Sequence, residues 1–265
     1  MLIIGEKING TRRRVGRAVR ERDAEHIVAL AREQVDAGAD YLDVNAGTSS
    51  DTEAEDLIWL VETVQDAVEV PLCLDSPNGA TLGAAARVVE RRPMINSISG
   101  EPGRLETVLP LAAELGGPVI VVALDDEGIP RTVEDRMRII AGLVAETRAA
   151  GIADERLYID PLIMAISTGD DAGVTALRTI AEVRATYPDA HVTGGLSNIS
   201  FGAPARRFLN QAFMVLAIEA GMDSAIMDPS APGIYPLMMA AEAVLGRDRF
   251  CNRYNRAYRA GRLDR

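Results

Sequence analysis

The chain has 265 residues, 39 acidic against 28 basic, and a formal net charge of −11, with 48% hydrophobic and 25% charged side chains. This is a globular composition, enough for one large domain, and its negative balance argues against nucleic acid or an anionic membrane surface as the main partner. No apolar run approaches the ~18 residues of a membrane span. The opening MLIIGEKING has too short an apolar run before Glu6 to predict a signal peptide, and Cys73 and Cys251 make no disulfide framework, so a cytoplasmic, reduced protein is expected.

Short apolar runs alternate with longer amphipathic stretches. In chain order the predicted strands are 2–6, 41–45, 71–75, 94–98, 118–124, 156–160, 191–196 and 223–228. The first predicted helix is capped by Asp23, places Ile27, Leu30, Ala31 and Val35 on one face, and stops at Gly38. A second begins at Asp51 or Thr52 with acids in its first turn. Helices over 79–91, 104–116, 132–150, 170–186, 204–221 and 234–245 complete the set. Eight strands alternating with eight helices predict an α/β protein, a (β/α)8 TIM barrel forming a single domain over 1–265, with 246–265 as a C-terminal tail or helix. A doubly wound open sheet is the alternative, but no G-x-G-x-x-G follows the first strand. The tail is basic with interleaved aromatics, and a final helix with a frayed end is expected there rather than a nucleic-acid arm. Cys73, inside PLCLD, is expected to be a buried core thiol.

A barrel carries its chemistry at the C-terminal strand ends. Read in order, those ends give Glu6 and Asn9, Asp43 and Asn45, Asp75, Asn96, Asp125, Asp160, Ser197 and Asn198, and Asp228. Any one of them has a plainer reading as a helix cap or turn former; Asp228 before PSAPG, Asp125 in DDEG and Asp160 before Pro161 invite it most. Asp75 and Asn96 resist it, because each sits within a strand run or at its edge. No metal is expected: His26 lies inside a predicted helix and His191 near a strand start, and no other histidine exists. Neither a P-loop nor a Ser-His-Asp or Cys-His arrangement suggests itself. A ring of carboxylates and amides suits a flat heterocycle with several N–H donors. A pterin presents a ring N–H beside an exocyclic amino group, which match the two oxygens of one carboxylate.

The segments LIIGEKING, ADYLDVNAG, LCLDS, MINSIS, LYIDPLI and GLSNISFG resemble, in order and approximate spacing, the methyltetrahydrofolate:corrinoid methyltransferases. The resemblance covers nearly the whole chain. It implies a homodimeric barrel whose substrate is tetrahydrofolate or methyltetrahydrofolate and whose corrinoid (cobalamin) is supplied by a partner corrinoid protein. Matched motif by motif, it implies pterin binding by Asp75, Asn96 and Asp160, a pocket lined by Gly195 and Ser197, a substrate contact from Arg206, and a catalytic Asn198 near the reacting nitrogen. An amide there can hydrogen-bond to the nitrogen as its proton comes or goes without carrying charge, and the glycines before Ser197 let backbone approach a flat ring. Two features depart from the family pattern: Phe201 after SNIS, where some members are polar, and the basic GTRRRVGRA after the first strand.

Three other readings compete. A dihydropteroate synthase-like enzyme shares the barrel and pocket but needs basic residues for a pyrophosphate near the last two strands, which here read GGLSN and IMDPS. A corrinoid carrier is suggested only by Asp189-Ala190-His191-Val192-Thr193-Gly194, a D-x-H-x-x-G string running into a strand without the companion elements. A non-catalytic folate-binding subunit is the third, since the cobalt must come from another protein.

Overall fold

Each strand is followed by a helix that returns the chain to the same edge, so successive strands add in parallel. The computed structural model describes residues 1–264, so the last position of the 246–265 segment lies outside the described residues. The strands are β1 (Leu2–Asn9), β2 (Tyr41–Asn45), β3 (Leu72–Asp75), β4 (Met94–Gly100), β5 (Val119–Asp125), β6 (Leu157–Asp160), β7 (His191–Val192) and β8 (Ser224–Met227). They pair in the order β7-β6-β5-β4-β3-β2-β1-β8. The seam between β7 and β8 is closed by the Asp223 amide donating to Val192 O at 3.2 Å, the Ile226 amide donating to Gly194 O at 3.0 Å, and a Thr193–Ser224 hydroxyl pair. The result is a TIM-type barrel.

Among the described residues, ten α-helices surround it: α1 (Arg13–Glu21), α2 (Ala24–Ala37), α3 (Glu53–Gln65), α4 (Gly79–Ala86), α5 (Arg104–Leu115), α6 (Val133–Ala149), α7 (Ala172–Thr186), α8 (Arg206–Ala220), α9 (Ile234–Val244) and α10 (Asn252–Arg259). Asp23 caps α2 through the His26 amide, and Gly38 ends it with a positive φ. Three elements differ from the sequence pattern. α1 was not expected: its buried Val15, Ala18 and Val19 share one face but are interleaved with four arginines that mask the period. α4 stops at Ala86 rather than near 91, because the Gln65 amide takes Val88 O and the Glu90 amide, both at 3.0 Å. β7 keeps only two residues, since Gly194 and Gly195 leave the ladder and enter a 3₁₀ turn at Leu196–Ser200. No described helix is long and apolar enough to cross a membrane.

Side chains alternate across each strand. One parity, including Ile3, Leu42, Val44, Leu72, Leu74, Ile95, Val121 and Ile159, packs outward into the main core against the helices. The other gives a separate cluster inside the barrel: Ile4, Cys73, Met94, Ile120 and Tyr158, with Leu2, Tyr41, Val122 and Ile226 against it. Cys73 is fully buried there. One step of two residues further along these strands stand Glu6, Asp43, Asp75, Asn96 and Asp160. The barrel is therefore filled by an apolar floor with a polar layer above it.

Ile120→Ala is expected to cost about 2–5 kcal/mol in urea-unfolding stability, because the floor cannot collapse around the lost volume inside a closed barrel. A loss below 0.5 kcal/mol would show that the floor does not hold the polar layer in place.

Candidate active site

The polar layer starts with strand register. Asp75 and Asn96 are direct partners on β3 and β4, and Asp160 closes β6 opposite Val122. Asn96 Nδ2 donates to Asp43 Oδ1 at 3.1 Å, and Asn45 Nδ2 donates to Asp75 Oδ2 at 2.8 Å. The two amides thus tie β2 to β3 and β4, and they are oriented by carboxylates rather than left to rotate. Asp160 Oδ1 accepts from the Leu162 amide at 2.8 Å across the turn that follows Pro161. Asp160 is therefore a turn former and a mouth residue together.

Among the described residues, none of these acids touches a cation. Burial pushes Asp75 up to about 6, against the Asn45 hydrogen bond and the more distant charge of Arg104. Burial likewise pushes Asp160 up to about 6, against the Leu162 amide and the charge of Arg136. Asp43 is raised further, by complete burial and then by the charge of Asp75. An acid without a proton here needs hydrogen-bond donors from elsewhere.

Two guanidinium groups sit behind these acids. Arg104 donates to Ser76 O at 2.9 Å and to Ser97 O at 2.5 Å, the carbonyls just after Asp75 and Asn96. Arg136 is 2% exposed and donates to Pro161 O at 2.9 Å, the carbonyl just after Asp160. Each arginine fixes the backbone beneath its carboxylate and supplies positive potential without occupying the carboxylate oxygens. Sequence reasoning missed both, because they lie in helices and only the fold brings them to the strand ends.

On the far side of the mouth, Gly194 and Gly195 separate Asp160 from Asn198. A side chain on Gly194 would come within 3.1 Å of Asp160 Oδ1, and one on Gly195 within 2.7 Å of Asn198 Nδ2. The glycines let both groups face one space. Asn198 is exposed, and among the described residues its amide makes no side-chain hydrogen bond. Ser197 Oγ donates to both oxygens of Glu6, at 3.2 and 3.1 Å, and Arg12 donates to Glu6 Oε1 at 2.8 Å. Burial raises Glu6, and the Arg12 charge opposes that rise. This carboxylate links β1, the start of α1 and the Asn198 turn; Glu6 was legible at a strand end, but Arg12 as its partner was not.

Asp75, Asn96, Asp160, Gly195, Ser197 and Asn198 therefore line one mouth. Arg206 is placed differently: its guanidinium donates to Ser197 O at 2.7 Å and to Ser200 Oγ at 3.0 Å, so it braces the turn. Asp228 accepts from the Ser230 amide and hydroxyl, as a turn acid does. Asp125 accepts from the Glu127 amide at the end of β5. Among the described residues, no three His, Cys, Asp or Glu side chains are grouped to hold a metal ion.

A family model described as pterin binding enzyme matches residues 5–228. The methylcorrinoid:tetrahydrofolate methyltransferase of Eubacterium limosum is 41% identical over 265 residues, covering 99% of this chain and 98% of that protein. The methionine synthase of Mycobacterium tuberculosis is 32% identical over 243 residues, which is 87% of this chain but 20% of that protein. Among solved structures, a Yersinia pestis DHPS with a pterine–sulfa conjugate superposes with a TM-score of 0.72 at 20% identity, covering 93% of each chain. Dihydropteroate synthase from Xanthomonas albilineans in complex with 7,8-dihydropteroate gives 0.69 at 21% identity, over 93% of this chain and 92% of that one. At such identities these structures speak for the fold alone. The match over most of the chain, together with a relative 41% identical from end to end, makes this protein a member of the pterin binding enzyme family.

Proposed function

We propose that this protein is a methyltransferase that moves a methyl group between N5 of tetrahydrofolate and the cobalt of a corrinoid carried by a partner protein. One observation carries the reading: an end-to-end relative named for this reaction is 41% identical, and this chain has a mouth with carboxylates that meet no cation among the described residues on one side and an uncommitted amide on the other. That relative's name puts the methylcorrinoid on the donor side. In that direction the cobalt–carbon bond breaks, its electron pair stays on cobalt, N5 takes the methyl group, and the proton on N5 leaves. The reverse reaction retraces these changes.

In this reading the pyrimidinone edge of the pterin gives its parallel N–H groups to the two oxygens of one carboxylate, Asp160, and Asp75 and Asn96 meet the neighbouring edges. The pterin thereby adds donors to those that Asn45 and the Leu162 amide already give these acids. Asn198 reaches N5. Its amide accepts a hydrogen bond from the protonated nitrogen or donates one to the neutral nitrogen, and so stabilises the charge that changes during transfer. Gly195 and Ser197 shape the space, and Arg206 contributes by bracing the turn. The partner approaches over the mouth, where Phe201 and Ile166 are exposed beside the Asn198 turn, the Ile166 amide donating to Ile199 O at 3.0 Å. Closure by that partner excludes water from the transfer.

The reading places the protein in one-carbon metabolism in the cytoplasm, as a homodimer. The outer faces of α8 and α9 support the dimer: Phe208, Val215, Leu216, Leu237 and Val244 are exposed there, an apolar stripe of the kind that marks association surfaces. Sedimentation is expected to give twice the chain mass. Leu216→Glu is expected to yield a folded monomer; a monomeric wild type would refute this arrangement.

Asn198→Ala is expected to lower single-turnover transfer by roughly a hundredfold while changing folate affinity far less, as for an interaction made mainly in the transition state. Asn198→Gly keeps the turn free of strain and removes the amide. Full transfer rates in that variant would reduce Asn198 to a turn residue.

Folate affinity is expected to be flat above pH 7 and to fall below about pH 6. The sign follows from the chemistry: the pterin donors need ionised oxygens, whereas Asp75 and Asp160 are raised to about 6 and so carry protons below that pH. Each such group lowers affinity by about tenfold per pH unit. Arg136→Met removes a charge that favours ionised Asp160 and is expected to move the midpoint upward. Calorimetric titration between pH 5 and 8 checks both, and a flat profile in the wild type would show that these acids do not take the pterin.

A further inference from the structure

We propose that a cavity at the base of the barrel is a binding site for a free α-amino acid with a large apolar or aromatic side chain. It lies at the end of the strands opposite the mouth, and the inference does not depend on what the mouth binds. The start of β1, the turn from α2 into β2, the second half of α9 and α10 with its following turn enclose about 420 Å³. That is a usual size for a small-molecule site.

The floor of the cavity is apolar: Ile3, Ala39, Met238, Met239 and Ala257 line it and are buried. Thioether side chains adapt to an irregular guest and favour the edge of an aromatic ring. Part of the wall is acidic. Glu242 is 4% exposed, and its Oε1 takes the Met1 amine at 2.5 Å. Its Oε2 lies 3.0 Å from Arg253 Nη2, but Nη2 donates to Arg247 O. Oε2 is thus a buried acceptor with charge beside it and, among the described residues, no hydrogen bond donated to it. Buried acceptors of this kind call for a donor. Asp40, also lining the cavity, accepts the Ile3 amide through Oδ2 at 2.8 Å, which leaves Oδ1 uncommitted among the described residues. Another part of the wall is basic. Arg256 and Arg262 line it, and among the described residues neither meets a carboxylate. Arg262 is held in place: its Nη2 donates to Ala37 O at 3.1 Å, and its guanidinium stands 4.4 Å from the centre of the Tyr235 ring. Gly38 makes this possible, since a side chain there would overlap the guanidinium. The matching ligand carries an ammonium group for Glu242 and Asp40, a carboxylate for Arg256 and Arg262, and an apolar body for the methionines. Those are the parts of an apolar α-amino acid. A plain carboxylate would leave Glu242 Oε2 without a donor, and a plain amine would leave both guanidinium groups unpaired.

Calorimetric titration of the full chain with L-phenylalanine tests the assignment, alongside the two molecules that each lack one of its charges, 3-phenylpropanoate and 2-phenylethylamine. L-Phenylalanine is expected to bind with a Kd on the order of 0.1–1 mM, and each analogue about tenfold more weakly. Arg256→Gln, at an exposed position with no ion pair to lose, is expected to weaken L-phenylalanine about threefold and to leave 2-phenylethylamine unchanged. Ala260→Trp fills the cavity from its exposed rim while keeping every charge, and is expected to abolish binding. Saturating tetrahydrofolate is expected to leave the phenylalanine titration as it was. If Ala260→Trp does not fold, the analogue series on the wild type decides the matter. No binding of L-phenylalanine up to about 10 mM, equal or tighter binding of either analogue, or full affinity in a folded Ala260→Trp variant overturns the proposal. Displacement of phenylalanine by tetrahydrofolate would place it in the mouth and overturn the proposal as well.

Discussion

The site depends on carboxylates buried without a cation in contact. Asp43, Asp75 and Asp160 stand on an apolar floor, and burial makes their ionised forms costly. A protein normally relieves that cost with a direct salt bridge. Here Arg104 and Arg136 stop one residue short, on the carbonyls of Ser76 and Pro161. A guanidinium placed on the carboxylates themselves would take the oxygens that a heterocycle needs. Held on the backbone, it lends potential without itself occupying the carboxylate oxygens.

The barrel makes this possible through parity. A period of two sends one set of strand residues outward to the helices and the other into the interior. Moving two residues along β2, β3, β4 or β6 passes from the floor to the polar layer: Tyr41 to Asp43, Cys73 to Asp75, Met94 to Asn96, Tyr158 to Asp160. The apolar floor and the polar layer therefore occupy successive levels of the same strands. A one-residue slip in any of them would turn an acid into the outer core.

The strands and most helices were legible because apolar runs and their caps are local signals. Asp75, Asn96 and Asp160 could be placed at the mouth for the same reason, since each lies at or near a strand end, whereas Asn198 stands in the 3₁₀ turn after β7 and was placed by motif. What stayed hidden was non-local. Arg136 lies in an amphipathic helix and looks like a surface residue until the fold buries it under Pro161. Arg12 reads as one of a run of arginines, and only the closed barrel sets it on Glu6. Arg206 could be placed by motif, but its commitment to Ser197 O depends on a 3₁₀ turn that no periodicity announces.

The seam between β7 and β8 has a dynamic consequence. β7 contributes two residues to the sheet, and its junction with β8 rests on two backbone hydrogen bonds, a hydroxyl pair and the Asp223 carboxylate, which accepts from the Val192 amide and pairs with His191. Regions with few ladder bonds open at lower free-energy cost than the rest of a structure. The Asn198 turn hangs from this wall, whereas Asp75 and Asn96 hang from fully paired strands on the other. Amide hydrogens around Gly194 and Gly195 should therefore exchange with solvent sooner than those of β3 and β4. Half of the mouth is therefore held rigidly, and the half that carries Asn198 has more freedom to move.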